Sequence, residues 1–380
     1  MAPNHKADRG TSALDLATSQ PLMLGLFLPI QNGGWTPSKA PRGTDWQFDY
    51  NAALTVRAEE LGFDLVFGLA QWLGAEGHGG ETAYRKNSLD PMLVTAGTAA
   101  LTRRIILIST VHVLYDWHPL HLAKMGATLD HMTGGRWGLN VVTGFRPHEM
   151  EMFGLESVPR DQRYIMAAEF TEMLNMLWRS EENLTYDGAH WSLRDAYVSP
   201  KPLNGRPIMV SAGSSEAGLD YACRYADLFF ITSPGGADIA DALESLPPHT
   251  ARIRALAEAQ GRQIKTVINP HVICRETEKE VAEVCRAIVE AEDAGAVDGL
   301  MGTQKRGDQS SWRGHQRNQR IIGGNVHVFG TPEQVVDQFI QLKDAGCDGM
   351  QINFFDFAPD LEFFGERVMP LLTQAGLRYA

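Results

Sequence analysis

The chain has 380 residues, 44% of them hydrophobic, enough to bury a large core as two domains or as one α/β barrel. Its net charge of −12, from 34 Lys+Arg against 46 Asp+Glu, and the lack of a long basic run argue against nucleic acid or an anionic membrane as partner. No apolar run reaches the ~18 residues that a membrane helix needs.

Residues 1–20, MAPNHKADRGTSALDLATSQ, are polar and lack the apolar centre of a signal peptide, so they read as a flexible leader. Beyond them short apolar runs alternate with helix-length segments. Strands are expected at Leu22–Ile30, Phe63–Leu69, Arg104–Val113, Arg136–Thr143, Pro207–Ala212, Leu228–Thr232, Lys265–Cys274 and Gly349–Phe355. Helices are expected near 49–61, 88–101, 118–131, 159–179, 214–226, 237–260, 277–295 and 331–345, with a terminal one near 360–376. The strand runs are continuous rather than alternating, as for parallel strands covered on both faces. Eight strand–helix units without a break in composition predict one (β/α)8 TIM barrel over 21–380. The alternative is a doubly wound sheet with a cap domain.

Local signals support this parsing. Thr331-Pro332-Glu333 starts a helix with a capping threonine and a proline in the first turn. Gly62 stands where a helix end needs the left-handed conformation. Two segments interrupt the pattern. Residues 180–205 carry turn signals (Asp187-Gly188, Pro200, Pro202) and suggest an inserted hairpin. Residues 301–324, MGTQKRGDQSSWRGHQRNQRIIGG, are polar and basic, and read either as a lid-like loop or as a surface excursion. Cys223, Cys274, Cys285 and Cys347 have no CxxC spacing and suit core positions of a reduced, cytoplasmic protein.

A Walker A loop, a GxGxxG after a strand, HExxH and GxSxG are all missing. His112, His118 and His121 lie close in sequence, but their spacing favours structural roles, and no metal site is expected. His78, alone in a loop, is weak evidence for any role. The chemistry then belongs to a cofactor. In a barrel the active site forms at the carboxyl ends of the strands. The groups there are Asn32, Ala70-Gln71, Thr110, Asn140 with Thr143, and Ala212-Gly213-Ser214-Ser215 leading into a helix. That last junction is a natural phosphate cradle, to which Arg163-Tyr164 could add a guanidinium and a phenol. Taken singly, Ser214 could be a helix cap, Arg163 a surface ion-pair member and Thr110 an ordinary β-branched strand residue.

HPLHLAKMGATLDHMTGGRWGLNVVTGF (118–145), RDQRY (160–164), VSAGSSEAG (210–218), VFGTPEQV (328–335) and FFGERVMPLL (363–372) carry a resemblance to a known family. The chain resembles the bacterial luciferase-like flavin-dependent monooxygenases, nearest the pyrimidine and dimethylsulfone monooxygenase subgroup. The resemblance implies a two-component enzyme that takes FMN as FMNH2 from a separate NAD(P)H:flavin reductase and uses O2, through a flavin N5-peroxide, on a sulfone, pyrimidine or related small molecule. It also implies a homodimer or homotetramer. By position it assigns Ala70, Gln71, Asn140, Glu149, Arg163, Tyr164, Ser214 and Ser215 to flavin, and Thr110 and Asn140 to dioxygen. The chain departs from the pyrimidine enzyme at Gln71, Phe145 and Tyr115-Asp116-Trp117, where substrate would sit. Two other readings stay open, a deazaflavin (F420)-dependent oxidoreductase and a non-catalytic flavin-binding protein.

Overall fold

The computed structural model describes residues 11–144, 146–306, 316–324 and 326–379. Strands β1 (Met23–Phe27), β2 (Leu65–Gly68), β3 (Ile106–His112) and β4 (Trp137–Val142) are followed by a hairpin, β5 (Leu184–Asp187) and β6 (Ser192–Ala196). Then come β7 (Ile208–Ala212), β8 (Leu228–Ile231), β9 (Lys265–Ile268), β10 (Pro270–Cys274), β11 (Val326–Gly330) and β12 (Gly349–Ile352). Eight of these close a barrel in the order β1-β12-β9-β8-β7-β4-β3-β2, every pair parallel. This is the (β/α)8 architecture expected from the sequence, and each expected run contains one of the eight barrel strands. The helices cover the barrel from outside, among them Phe48–Glu60, Pro119–Thr133, Arg160–Arg179 and Glu216–Tyr225.

The seventh expected run, Lys265–Cys274, is two strands rather than one. β9 stays in the barrel, and after Asn269 the chain leaves it to pair β10 with β11 in a separate parallel sheet. The break falls at Pro270, which has no N–H to continue a ladder and is tolerated as the first residue of a strand. The side chain of Asn269 takes over locally, its Nδ2 donating to Gln351 O at 2.5 Å.

Which residues face the barrel interior follows from the period of two. Trp137, Leu139 and Val141 of β4 pack outward against Phe170, Met173 and Leu174 of the helix Arg160–Arg179. Gly138 and Asn140 therefore point inward. The inner core is formed by Met23, Leu65, Phe67, Ile106, Ile108, Ile208, Val210, Leu228, Phe230 and Val267. β4 enters this layer from a turn at Gly134, whose φ of +68° caps the preceding helix with N–H bonds to Asp130 and His131 carbonyls. That left-handed geometry is open to glycine at little cost.

Two features differ from the parsing by sequence, the leader and the 301–324 segment, while the hairpin expected between 180 and 205 is present. Within the polar leader, Ala13–Ser19 form a helix closed by a Ser12–Asp15 capping box, with Ala17 buried. The helix Ala294–Arg306 runs into the segment expected as a loop from 301, and Arg317–Ile322 form a further helix within it. Residues 307–315, the centre of the expected lid, lie outside the described residues. Between 180 and 205 stands the antiparallel pair β5–β6. Among the described residues no helix is long and apolar enough to cross a membrane.

Candidate active site

Thr110 and Asn140 are register partners on β3 and β4, both about 1% exposed. Asn140 Nδ2 donates to Thr110 Oγ1 at 3.0 Å. The carbonyl oxygen Oδ1 of Asn140 is buried and has no hydrogen-bond partner. An orphaned buried carbonyl costs about 1–3 kcal/mol, so it marks a place where a donor is missing. The strand that carries it is apolar on its outer face, and nothing in its packing calls for a carboxamide.

Just above, Gly144 turns the chain at φ +72°, and its carbonyl accepts from Arg163 Nη1. Tyr115 Oη donates to Glu149 Oε2 at 2.8 Å, and Arg146 Nη1 donates to Glu149 Oε1 at 2.7 Å. Glu149 is fully buried with both oxygens engaged, so it fixes a phenol and a guanidinium in place. Burial, the Glu149 charge and the hydrogen bond to it push the Tyr115 hydroxyl well above its ordinary value, so it stays protonated. The His112 ring stacks on Tyr115 at 4.6 Å between centroids. Burial lowers its pKa to about 4, so His112 is neutral at pH 7, and its Nδ1 is without a partner.

The helix Arg160–Arg179 places Arg163 and Tyr164 on either side of one wall. Tyr164 reaches the turn after β7, where Gly213 and Gly218 leave room for it. A Cβ on Gly218 would lie 2.7 Å from Tyr164 Oη, and one on Gly213 3.0 Å from it. Ser215 is the N-cap of the helix Glu216–Tyr225, its Oγ accepting from Gly218 N at 3.2 Å. Ser214, the other candidate cap, stands one residue earlier and half-buried. The phenol, the glycine-lined turn and the helix start thus form one cradle, while Arg163 turns toward β4.

Ala70 and Gln71 follow β2. Gln71 Oε1 accepts from Arg85 Nη1 at 3.4 Å, and Gln71 Nε2 is buried without a partner. Asn32 is spent on the loop beside it: Nδ2 donates to Thr82 O and Ala83 O, and Oδ1 accepts from Asn87 N. Thr143 is buried and its hydroxyl stays local, on Gly144 O. His118 caps its helix through Leu120 N, as its structural reading expects. Among the described residues no cluster of three potential metal ligands occurs. Phe145 lies outside the described residues.

Sequence reasoning missed Arg85 and Arg146. Both are buried at the mouth, Arg85 against the Trp35 ring at 4.5 Å. Neither belongs to a periodic segment or a spaced motif, so only the folded chain brings them to the barrel. For a planar, hydrogen-bonding ring with an anionic tail the fit is good. Asn140 Oδ1 offers an acceptor without a partner, and the turn after β7 offers the cradle for the tail.

The luciferase-like monooxygenase family model matches residues 23–349. The FMNH(2)-dependent dimethylsulfone monooxygenase of Pseudomonas fluorescens (strain Pf0-1) is 30% identical over 366 residues, covering 94% of this chain and 96% of its own. The pyrimidine monooxygenase RutA of Acinetobacter baylyi (strain ATCC 33305 / BD413 / ADP1) is 29% identical over 367 residues, with 93% and 95% covered. The EDTA monooxygenase (EmoA) from Chelativorans sp. BNC1 superposes with a TM-score of 0.80 at 21% identity, covering 94% of this chain and 95% of that one, a likeness of fold. The chain belongs to the luciferase-like monooxygenase family.

Proposed function

We propose that the chain is an FMNH2-dependent monooxygenase that oxygenates a small organic molecule and receives reduced flavin from a separate NAD(P)H:flavin reductase. The observation that carries this is the Thr110–Asn140 pair, a hydroxyl and an orphaned carboxamide oxygen on the inner face of the barrel. Relatives aligned over nearly the whole chain support it, one of them named for its dependence on FMNH(2). Bound reduced FMN supplies the two electrons that leave one oxygen of O2 on the substrate and the other in water.

The residues of the chain do the rest. Ser214, Ser215 and Tyr164 hold the phosphate at the helix start, with Arg163 adding its guanidinium from the β4 side. Ala70 and Gln71 border the ring on the β2 side. Asn140 Oδ1 accepts from the ring edge, and the Thr110 hydroxyl orients dioxygen beside it. Glu149 locks Tyr115 and Arg146 over the same opening, and the aromatic wall of Phe27, Phe67 and Phe230 keeps water out. The test is oxygen uptake and product formation with FMN, NADH and a flavin reductase across a panel of sulfones, sulfonates, carboxylates, pyrimidines and halogenated aromatics. Substrate-dependent product that requires all three components supports the reading. No product from any class, with flavin bound, would leave the chain a flavin carrier.

A further inference from the structure

Burying a guanidinium costs several kcal/mol unless an anion or a full set of acceptors compensates it. Arg85 is 7% exposed. Among the described residues no carboxylate lies within ion-pair distance of it. Its Nε donates to Gly34 O at 3.2 Å and its Nη1 makes only a long contact, 3.4 Å, to Gln71 Oε1. The rest of the group lies over the rings of Trp35 and Tyr84, at 4.5 and 5.0 Å. Burial holds the guanidinium below its ordinary pKa, with the neighbouring Tyr84 hydroxyl acting against that shift and the like charge of Arg146 adding to it. The carboxylate of that neighbourhood, Glu149, already accepts from Arg146 and Tyr115. Beside Arg85, the Gln71 Nε2 donor is buried and without a partner.

The backbone that presents Arg85 is unfavourable and firmly held. Arg85 has φ +59° and Ala83 φ +43°, conformations in which side chains other than glycine's are uncommon. Asp293 pins this loop by accepting from Glu81 N at 3.2 Å, Thr82 N at 2.8 Å and Thr82 Oγ1 at 2.6 Å. Arg85 N donates to Asn32 O at 3.0 Å, which ties the loop to the end of β1. A charged group is thus delivered to a fixed place by strained backbone, with a second unused donor next to it.

We propose that Arg85, with Gln71 Nε2, binds an anionic substituent of the substrate, a carboxylate or a sulfonate. The inference rests on the reading that the mouth of the barrel holds reduced FMN and an organic substrate. Two oxygens of either anion match the guanidinium fork, and one of them also takes the Gln71 N–H. The flavin phosphate is the other anion present, but its cradle follows β7, and β4 and β3 stand between β7 and β2 in the barrel order. The substrate is then an organic acid rather than a neutral sulfone or pyrimidine.

Calorimetric titration tests this with propane-1-sulfonate and butanoate against the neutral, similar-sized methyl propyl sulfone, each with and without FMN. Wild type should bind at least one of the two anions roughly 10- to 100-fold more tightly than the sulfone, the effect of charge-assisted hydrogen bonds. Arg85→Met should abolish that preference while leaving FMN affinity and sulfone binding unchanged, and Arg85→Lys should restore part of it. Equal affinity of wild type for the anions and the sulfone overturns the proposal, and this comparison needs no variant that folds. Equal loss of anion and sulfone binding in Arg85→Met, at unchanged melting temperature, overturns it too, because it makes Arg85 a brace for the 33–36 loop. A fall in FMN affinity assigns Arg85 to the phosphate instead and overturns the substrate assignment. Failure of the flavin reading is distinct: FMN itself would not bind, while the anion preference would still be measured in its absence.

Discussion

Replacing Asn140 by alanine removes two things at once. One is the hydrogen bond from Nδ2 to Thr110 Oγ1, worth about 0.5–1.5 kcal/mol net. The other is the buried Oδ1 that has no partner in the free protein, whose desolvation costs about 1–3 kcal/mol. The two offset to within about 2 kcal/mol, and β4 keeps its backbone ladder to β3 and β7. The melting temperature should therefore move by no more than about 4 °C. With FMN bound the lost acceptor should weaken affinity by roughly 2- to 12-fold, the equivalent of one hydrogen bond. The large effect should fall on coupling. Reduced flavin would still consume oxygen, but with dioxygen no longer oriented more of it should leave as hydrogen peroxide. Oxygen uptake, peroxide and product should be measured together on the wild type, Asn140→Ala and Thr110→Val, using the substrate found in the panel. Product per oxygen should drop in both variants. A melting temperature lowered by more than about 10 °C, with coupling unchanged in the surviving protein, would make Asn140 a structural residue rather than an oxygen-site residue.

Arg163→Ala should weaken FMN binding by about 1.5–3 kcal/mol, one charge-assisted hydrogen bond, and an unchanged titration curve would place the phosphate elsewhere. Gly218→Ala puts a Cβ 2.7 Å from Tyr164 Oη and 3.2 Å from Ser215 Oγ, so it should cost about 1–3 kcal/mol of stability in urea unfolding and lower FMN affinity. Retained affinity in Gly218→Ala would remove Tyr164 from the cradle. His78, His112, His271 and His327 are buried, and burial first of all lowers their pKa values to about 2, 4, 3 and 4. Neutral in the fold, they take up protons near pH 6.5 once the chain unfolds. Their stabilisation is complete above that pH and is lost as pH falls toward 4, by up to about 2 kcal/mol per histidine at pH 5. Urea midpoints at pH 7.5, 6.5 and 5.5 should therefore decrease in that order, and a constant midpoint would contradict the assignment.

The barrel was legible because its strands are apolar on both faces. β3, ILISTVH, is buried at every position, and such runs stand out without any knowledge of pairing. The β10–β11 sheet was not, since VHVFG pairs with a strand far away in sequence and no local pattern records that partner. The helix at Ala13–Ser19 carries a readable Ser12–Asp15 box, overlooked within a polar segment. Thr110 and Asn140 stand out in the sequence as polar groups near the carboxyl ends of apolar strands, and they are register partners in the fold. The serine pair where a strand runs into a helix stands out for the same reason, and Ser215 is the N-cap of that helix. Arg85 does not stand out, because what sets it apart is its burial, its φ of +59° and, among the described residues, the lack of a counter-ion. Glu149 was picked by resemblance, but its bonds to Tyr115 and Arg146 join the segment after β3 to the short helix after β4, which only the folded chain brings together.

The proposed function stands on reduced FMN binding at the mouth of this barrel. An anaerobic titration of the protein with FMNH2, run beside one with reduced deazaflavin F420, tests it most directly. Saturation at one FMNH2 per chain is expected, with binding weakened by Arg163→Ala and little or no uptake of F420. Preference for F420, or no saturable binding of FMNH2, would contradict it.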